Sequence, residues 1–60
     1  METKEIIEQL KTFIEERITA CSNNRTHFEK MKDYSNESKM IGKIEAFHEV
    51  FSKIDELTKE

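Results

Sequence analysis

The sequence predicts an all-α fold, an antiparallel two-helix hairpin with helices over about residues 3–32 and 36–58. Three observations point to it. There is no proline and a single glycine in 60 residues, so helix breakers are scarce. Apolar side chains recur at helical spacing almost throughout, and no segment shows the β-branched alternation of a strand. The one dense cluster of turn and cap residues, Asp33-Tyr34-Ser35-Asn36, falls between the two periodic segments.

The first helix is read from the phase of its apolar residues. With Leu10 as reference and about 100° per residue, Ile6, Ile7, Phe13, Ile14 and Cys21 fall on one stripe. Phe28 and Met31 continue it. The phase carries across Ser22-Asn23-Asn24, so one long helix is the simplest reading. A break at those three residues is the alternative, because Ser and Asn favour caps. Thr3 is the expected N-cap, and Glu5 and Glu8 suit the positive end of the helix dipole. In the second helix Met40, Ile44, Phe47, Phe51 and Ile54 alternate steps of four and three, flanked by Ile41, Val50 and Leu57. Ser35 or Asn36 is expected to cap it, with Glu37 in its first turn.

A turn near residue 34 pairs Phe28 with Met40, Asn24 with Ile44, Cys21 with Phe47, Arg17 with Phe51 and Ile14 with Ile54. Arg17 then lies on the seam, its guanidinium over Phe51. Asn24 becomes a polar residue at a seam position, able to set register or oligomeric state. Ile6 and Ile7 extend past the end of the second helix. A second chain covering them, in a homodimeric four-helix bundle, is the simplest remedy. The candidate self-association residues are therefore Ile6, Ile7, Leu10 and Phe13, together with Ser38, Gly42 and Ala46 on the back of the second helix. Gly42 costs a helix interior about 1 kcal/mol relative to Ala. Small residues at this spacing admit a close helix neighbour; an incidental, exposed glycine is the other reading.

Length and charge narrow the function. Residues 1–60 make one small domain, with eighteen large apolar or aromatic side chains to offset the entropy of ordering it. A lone monomer would be marginal, which again favours a partner chain. The net charge of −3 has the wrong sign for a nucleic-acid binder. The basic residues of the middle third, Arg25, Lys30, Lys32 and Lys39, are interrupted by Glu29, Asp33 and Glu37, as on a solvated helix face. No apolar run approaches the roughly 20 residues of a membrane span. Ile6-Ile7 is followed at once by Glu8-Gln9, which does not read as a signal peptide. The lone Cys21 implies no disulfide. A cytoplasmic protein is expected. Lys, Ile, Asn, Phe, Tyr and Met supply 26 residues, whereas Gly, Ala, Arg and Pro supply 5. That bias follows AT-rich codons, as in a low-GC bacterium or one of its viruses.

No arrangement points to catalysis. There is no Ser-His-Asp or Cys-His set and no phosphate-binding glycine loop. Glu45 and His48 have the Glu-x-x-His spacing of di-iron bundles, but neither sits on the inner stripe, where such ligands must project. Cys21 reads as a small buried hydrophobe and His27 as a surface residue. The expectation is no enzyme, no metal, no cofactor and no small-molecule substrate. The turn region is the candidate recognition surface: Tyr34 at the tip, Phe28, Met31 and Met40 beneath it, and Arg25 and Lys32 beside them. Interfaces favour aromatic, Met and Arg side chains of this kind, and simple closure of the end of the bundle by these residues is the other reading.

The segment Gly42-Lys43-Ile44-Glu45-Ala46-Phe47-His48-Glu49-Val50-Phe51 resembles the second helix of small bacteriophage-encoded proteins carrying a G-K-x-E-A-aromatic-x-x-V/I pattern. The likeness covers about a third of the chain, and the pattern is mostly that of an amphipathic helix with a glycine. It implies a phage protein that binds and blocks a host protein, such as an antiviral defence factor. An assembly component whose self-association is its function is the competing expectation.

Overall fold

The computed structural model describes residues 2–59. They form two helices, α1 (Thr3–Lys30, 28 residues) and α2 (Tyr34–Thr58, 25 residues), packed on one another as a hairpin. The molecule measures 44 × 18 × 12 Å, so it is one helix thick. Any side chain that does not point along the line between the helices faces solvent. No helix among the described residues is long and apolar enough to cross a membrane.

α1 runs without interruption through Ser22-Asn23-Asn24. Cys21 and Arg25 on either side are drawn toward α2, and that packing outweighs the capping preference of the three residues between them. The Thr26 hydroxyl donates to the Ser22 carbonyl oxygen at 3.1 Å, within helical geometry. The N-cap falls one residue before the expected one. Glu2 occupies the N-cap position without a side-chain hydrogen bond, and Thr3 is the first helical residue. Glu5 in the first turn and His27 and Lys30 in the last match the helix dipole.

The turn is tighter and earlier than the sequence suggests. The Asp33 N–H donates to the Phe28 carbonyl at 2.9 Å, and the Lys32 N–H donates to the Glu29 carbonyl at 3.0 Å. These two bonds form a Schellman closure, which needs a left-handed residue between helix and exit. Lys32 takes that conformation, with φ of 60°. Asp33 then stands at the threshold of α2 and caps it. Its carboxylate accepts from the Asn36 N–H at 3.3 Å and from the Asn36 side-chain amide at 2.7 Å. Ser35 and Asn36 are therefore inside α2 and do not cap it. A lysine in the left-handed region carries a steric cost that glycine avoids. Lys32→Gly should raise stability by about 0.5–1 kcal/mol, read as a higher urea midpoint with an unchanged slope.

Two ion pairs mark the register. Lys11 Nζ lies 3.2 Å from Asp55 Oδ1 at the open end. Arg25 joins Glu37 across the helices at 3.3 Å near the turn, and Glu29 along its own helix at 2.9 Å. They place Ile14 across from Phe51, Ile18 from Phe47, Cys21 from Ile44 and Arg25 from Met40. The expected pairing is thus displaced by about one helical turn, because the bend is centred on Lys32 and not on Tyr34.

Three expectations change with the register. Arg17 leaves the seam, and its guanidinium stacks over Phe13 of the same helix, 5.0 Å from the ring centre. The cation near Phe51 is Lys11, at 5.7 Å. Asn24 is exposed, not enclosed in the seam. Ile6 and Ile7 do not overhang: Ile7 is half-buried at the level of Thr58, and Ile6 is exposed because of its rotation about the helix axis. On each helix the enclosed positions alternate steps of four and three, from Ile7 to Phe28 and from Glu37 to Thr58. Only Ile14 (6% exposed) and Cys21 (8%) are buried among the described residues.

Candidate protein-interaction surface

The seam spacing dictates what lies on the two broad sides of the hairpin. A residue one position before a seam residue is rotated by about 100° in the same sense on both helices. Because the helices are both right-handed and run in opposite directions, these preceding positions share one broad face. The positions that follow seam residues share the other.

The two faces differ in chemistry. The first carries Ile6, Leu10, Phe13 and Arg17 from α1, and Lys39, Lys43, Ala46, Val50, Lys53 and Leu57 from α2. It holds four basic residues and no acidic one. The second carries Glu8, Glu15 and Glu29 from α1 and Glu45 and Asp55 from α2, and its one Lys or Arg among the described residues is Lys59, just past the end of α2. Its large apolar member is Ile41.

On the basic face the apolar residues are segregated toward the open end. Ile6, Leu10, Phe13, Val50 and Leu57 all lie in the half farther from the turn, and each is between 44% and 72% exposed. Covering what remains exposed would contribute about 1 kcal/mol per side chain. The Arg17 guanidinium closes the edge of this patch over Phe13. Toward the turn the same face is polar, with Asn24, Lys39 and Lys43.

The candidate self-association residues therefore separate into three groups. Ile6, Leu10 and Phe13 belong to the apolar patch. Ile7 is part of the hairpin's own seam. Gly42 lies on the outer side of α2, between Ser38 at the acidic face and Ala46 at the basic face, all exposed; a Cβ at Gly42 would meet nothing of its own chain within 4 Å. Val50 and Leu57 join the patch, although the sequence reading treated them only as flanks of the second helix. Their signal was present: each immediately precedes a seam residue, as Ile6, Leu10 and Phe13 do.

The turn gathers the residues proposed for recognition without enclosing them. Met31 and Tyr34 are each 62% exposed at the tip, Phe28 is half-buried beneath, and Lys32 projects from its left-handed backbone. The His27 ring meets Phe28 edge-on, with centroids 5.7 Å apart. Arg25 is already committed to Glu29 and Glu37. Glu45 and His48 are exposed outside the seam, and no group of three His, Cys, Asp or Glu among the described residues is placed to hold a metal ion. Cys21 is a free, buried thiol. Comparison of the chain with protein-family models, with curated proteins and with solved structures finds no match.

Proposed function

We propose that this chain is a non-enzymatic protein-interaction module that self-associates through its apolar face and binds another protein at its turn end. The observation that carries the reading is the disparity between seam and face. The hairpin buries two side chains of its own, while five large apolar residues stand side by side and half-exposed. Helices in proteins gain most of their stability from packing such a surface against a neighbour. At the turn, Met31 and Tyr34 offer the adaptable and aromatic contacts that interfaces favour. The likeness of the second helix to phage proteins, with the AT-rich residue bias, extends the reading to a phage-encoded inhibitor in a bacterial cytoplasm. Its mechanism is occlusion: a helical tip covers a functional surface of a host protein such as an antiviral defence factor.

The test compares tagged wild-type protein with a Met31→Ser/Tyr34→Ser variant in host lysate. A specific protein should be retained by the first and lost by the second, while the helical content of the two is the same. Equal retention by both would remove the tip from the reading. The separation of charge between the broad faces favours a second reading, an assembly protein in which the basic face of one copy meets the acidic face of the next. That reading requires species larger than a dimer in light scattering, growing with concentration and dispersed by salt.

A further inference from the structure

We infer that the apolar face receives a second copy of this chain in antiparallel half-overlap, with the two-fold axis between the copies at the level of Leu10. The inference rests on the self-association reading and adds which faces meet and how. The basic face can be laid on its own copy in three ways.

In a parallel dimer the faces would overlap along their whole length. Arg17, Lys39, Lys43 and Lys53 of both copies would then be gathered between the helix layers, and no acidic residue among the described ones lies on that face to offset them. Antiparallel overlap along the full length avoids that crowding but lays the open half of each copy on the turn half of the other. Leu10 would meet Asn24, while Leu57 and Lys53 would meet Lys39 and Lys43, and the apolar patch would stay largely unmatched.

Antiparallel half-overlap meets both constraints best: of the four basic residues it encloses Lys53 alone, whose ammonium lies 3.7 Å from Glu56 of its own helix. The apolar halves cover each other, with Leu10 against its own copy and Ile6 at the level of Phe13. The basic turn halves project beyond the partner into solvent. Arg17 reaches the level of the second copy's Glu2, an exposed acid at the start of α1. The two turns then point away from each other, and both recognition tips remain free.

The experiment uses single-cysteine variants of the full chain in a Cys21→Ala background. Disulfides close only when Cα atoms approach within about 7 Å. Leu10→Cys should form a disulfide with itself, and Ile6→Cys mixed with Phe13→Cys should form a mixed disulfide that neither gives alone. A mixed disulfide between Leu10→Cys and Leu57→Cys, without the Leu10 homodisulfide, is the mark of the parallel dimer and overturns the inference while keeping self-association. A second measurement leaves the apolar patch intact. Spin labels on Ser35→Cys, beside the turn, should be about 60 Å apart in the half-overlapped dimer. Full antiparallel overlap brings them to about 40 Å, and a parallel dimer to under about 25 Å. Either shorter distance overturns the arrangement. A folded monomer showing no crosslink and no intermolecular distance overturns the self-association reading itself, and the apolar face then belongs to another protein.

Discussion

Leu10→Glu should dissociate the protein and, with it, most of its helix. Leu10 is 48% exposed in the hairpin and sits outside the seam. Were the single hairpin the functional unit, the change would be close to silent: Glu is a good helix former, and a surface substitution of this kind shifts stability by no more than about 0.5 kcal/mol. The proposed dimer makes the opposite forecast. Two carboxylates would be enclosed against each other at the centre of the patch, a cost of at least about 4 kcal/mol per dimer and so roughly a thousandfold in dissociation constant. The separated hairpins would retain little to hold them, with only Ile14 and Cys21 buried among the described residues. Sedimentation should show monomer, and far-UV circular dichroism at micromolar concentration should lose most of the helical signal. Thr12→Glu supplies the control. It places the same side chain two positions along the same helix, on the opposite broad face, and should leave mass and helicity unchanged. For wild type, the thermal midpoint should climb with concentration. Retained helicity and a concentration-independent midpoint for Leu10→Glu would remove the dimer from the account.

The second helix was largely legible in the sequence, and the first only in part, for a geometric reason. Met40, Ile44, Phe47, Phe51 and Ile54 alternate strictly, and all five are half-buried in the seam. On the first helix the apolar stripe is too wide for one neighbour. Ile7, Ile14 and Cys21 turn toward α2, while Ile6, Leu10 and Phe13 turn onto the broad face. Periodicity reports a stripe, but only the register says where the stripe divides. The register was hidden in the turn. A left-handed exit is ordinarily announced by glycine, and here the position is held by Lys32. Lys11 and Arg25 were hidden as well. Charged residues read as surface, yet their stems lie along the seam while their charged ends reach Asp55 and Glu37. Tyr34 was legible at the tip from its position among the turn residues, whereas Met31, which continues the apolar stripe in the sequence, is 62% exposed because α1 ends before it.

Ile14→Ala should cost about 3 kcal/mol per chain, among the largest losses any single truncation here can produce. Ile14 is the most enclosed large side chain among the described residues, lying across from Phe51 where the two helices meet. Its neighbour Phe13 is larger but 49% exposed on the broad face. The two positions, one residue apart, therefore separate two kinds of stability. Ile14→Ala opens a gap inside each hairpin. It should lower the urea midpoint at every protein concentration and leave folded chains dimeric. Phe13→Ala leaves the seam intact and thins the contact between copies. Its penalty should be full at high concentration, where the copies are in contact, and shrink on dilution, as mass action requires of an interface residue. Denaturation series at two concentrations a hundredfold apart read the difference directly. If Ile14→Ala costs less than about 1 kcal/mol, the register set by the Lys11–Asp55 and Arg25–Glu37 pairs is wrong, since a seam shifted by one residue would carry Ile14 out of its enclosure. If the penalty for Phe13→Ala is the same at both concentrations, the ring under Arg17 belongs to the hairpin and not to the contact between copies, and the division of the first helix into two apolar stripes loses its energetic meaning.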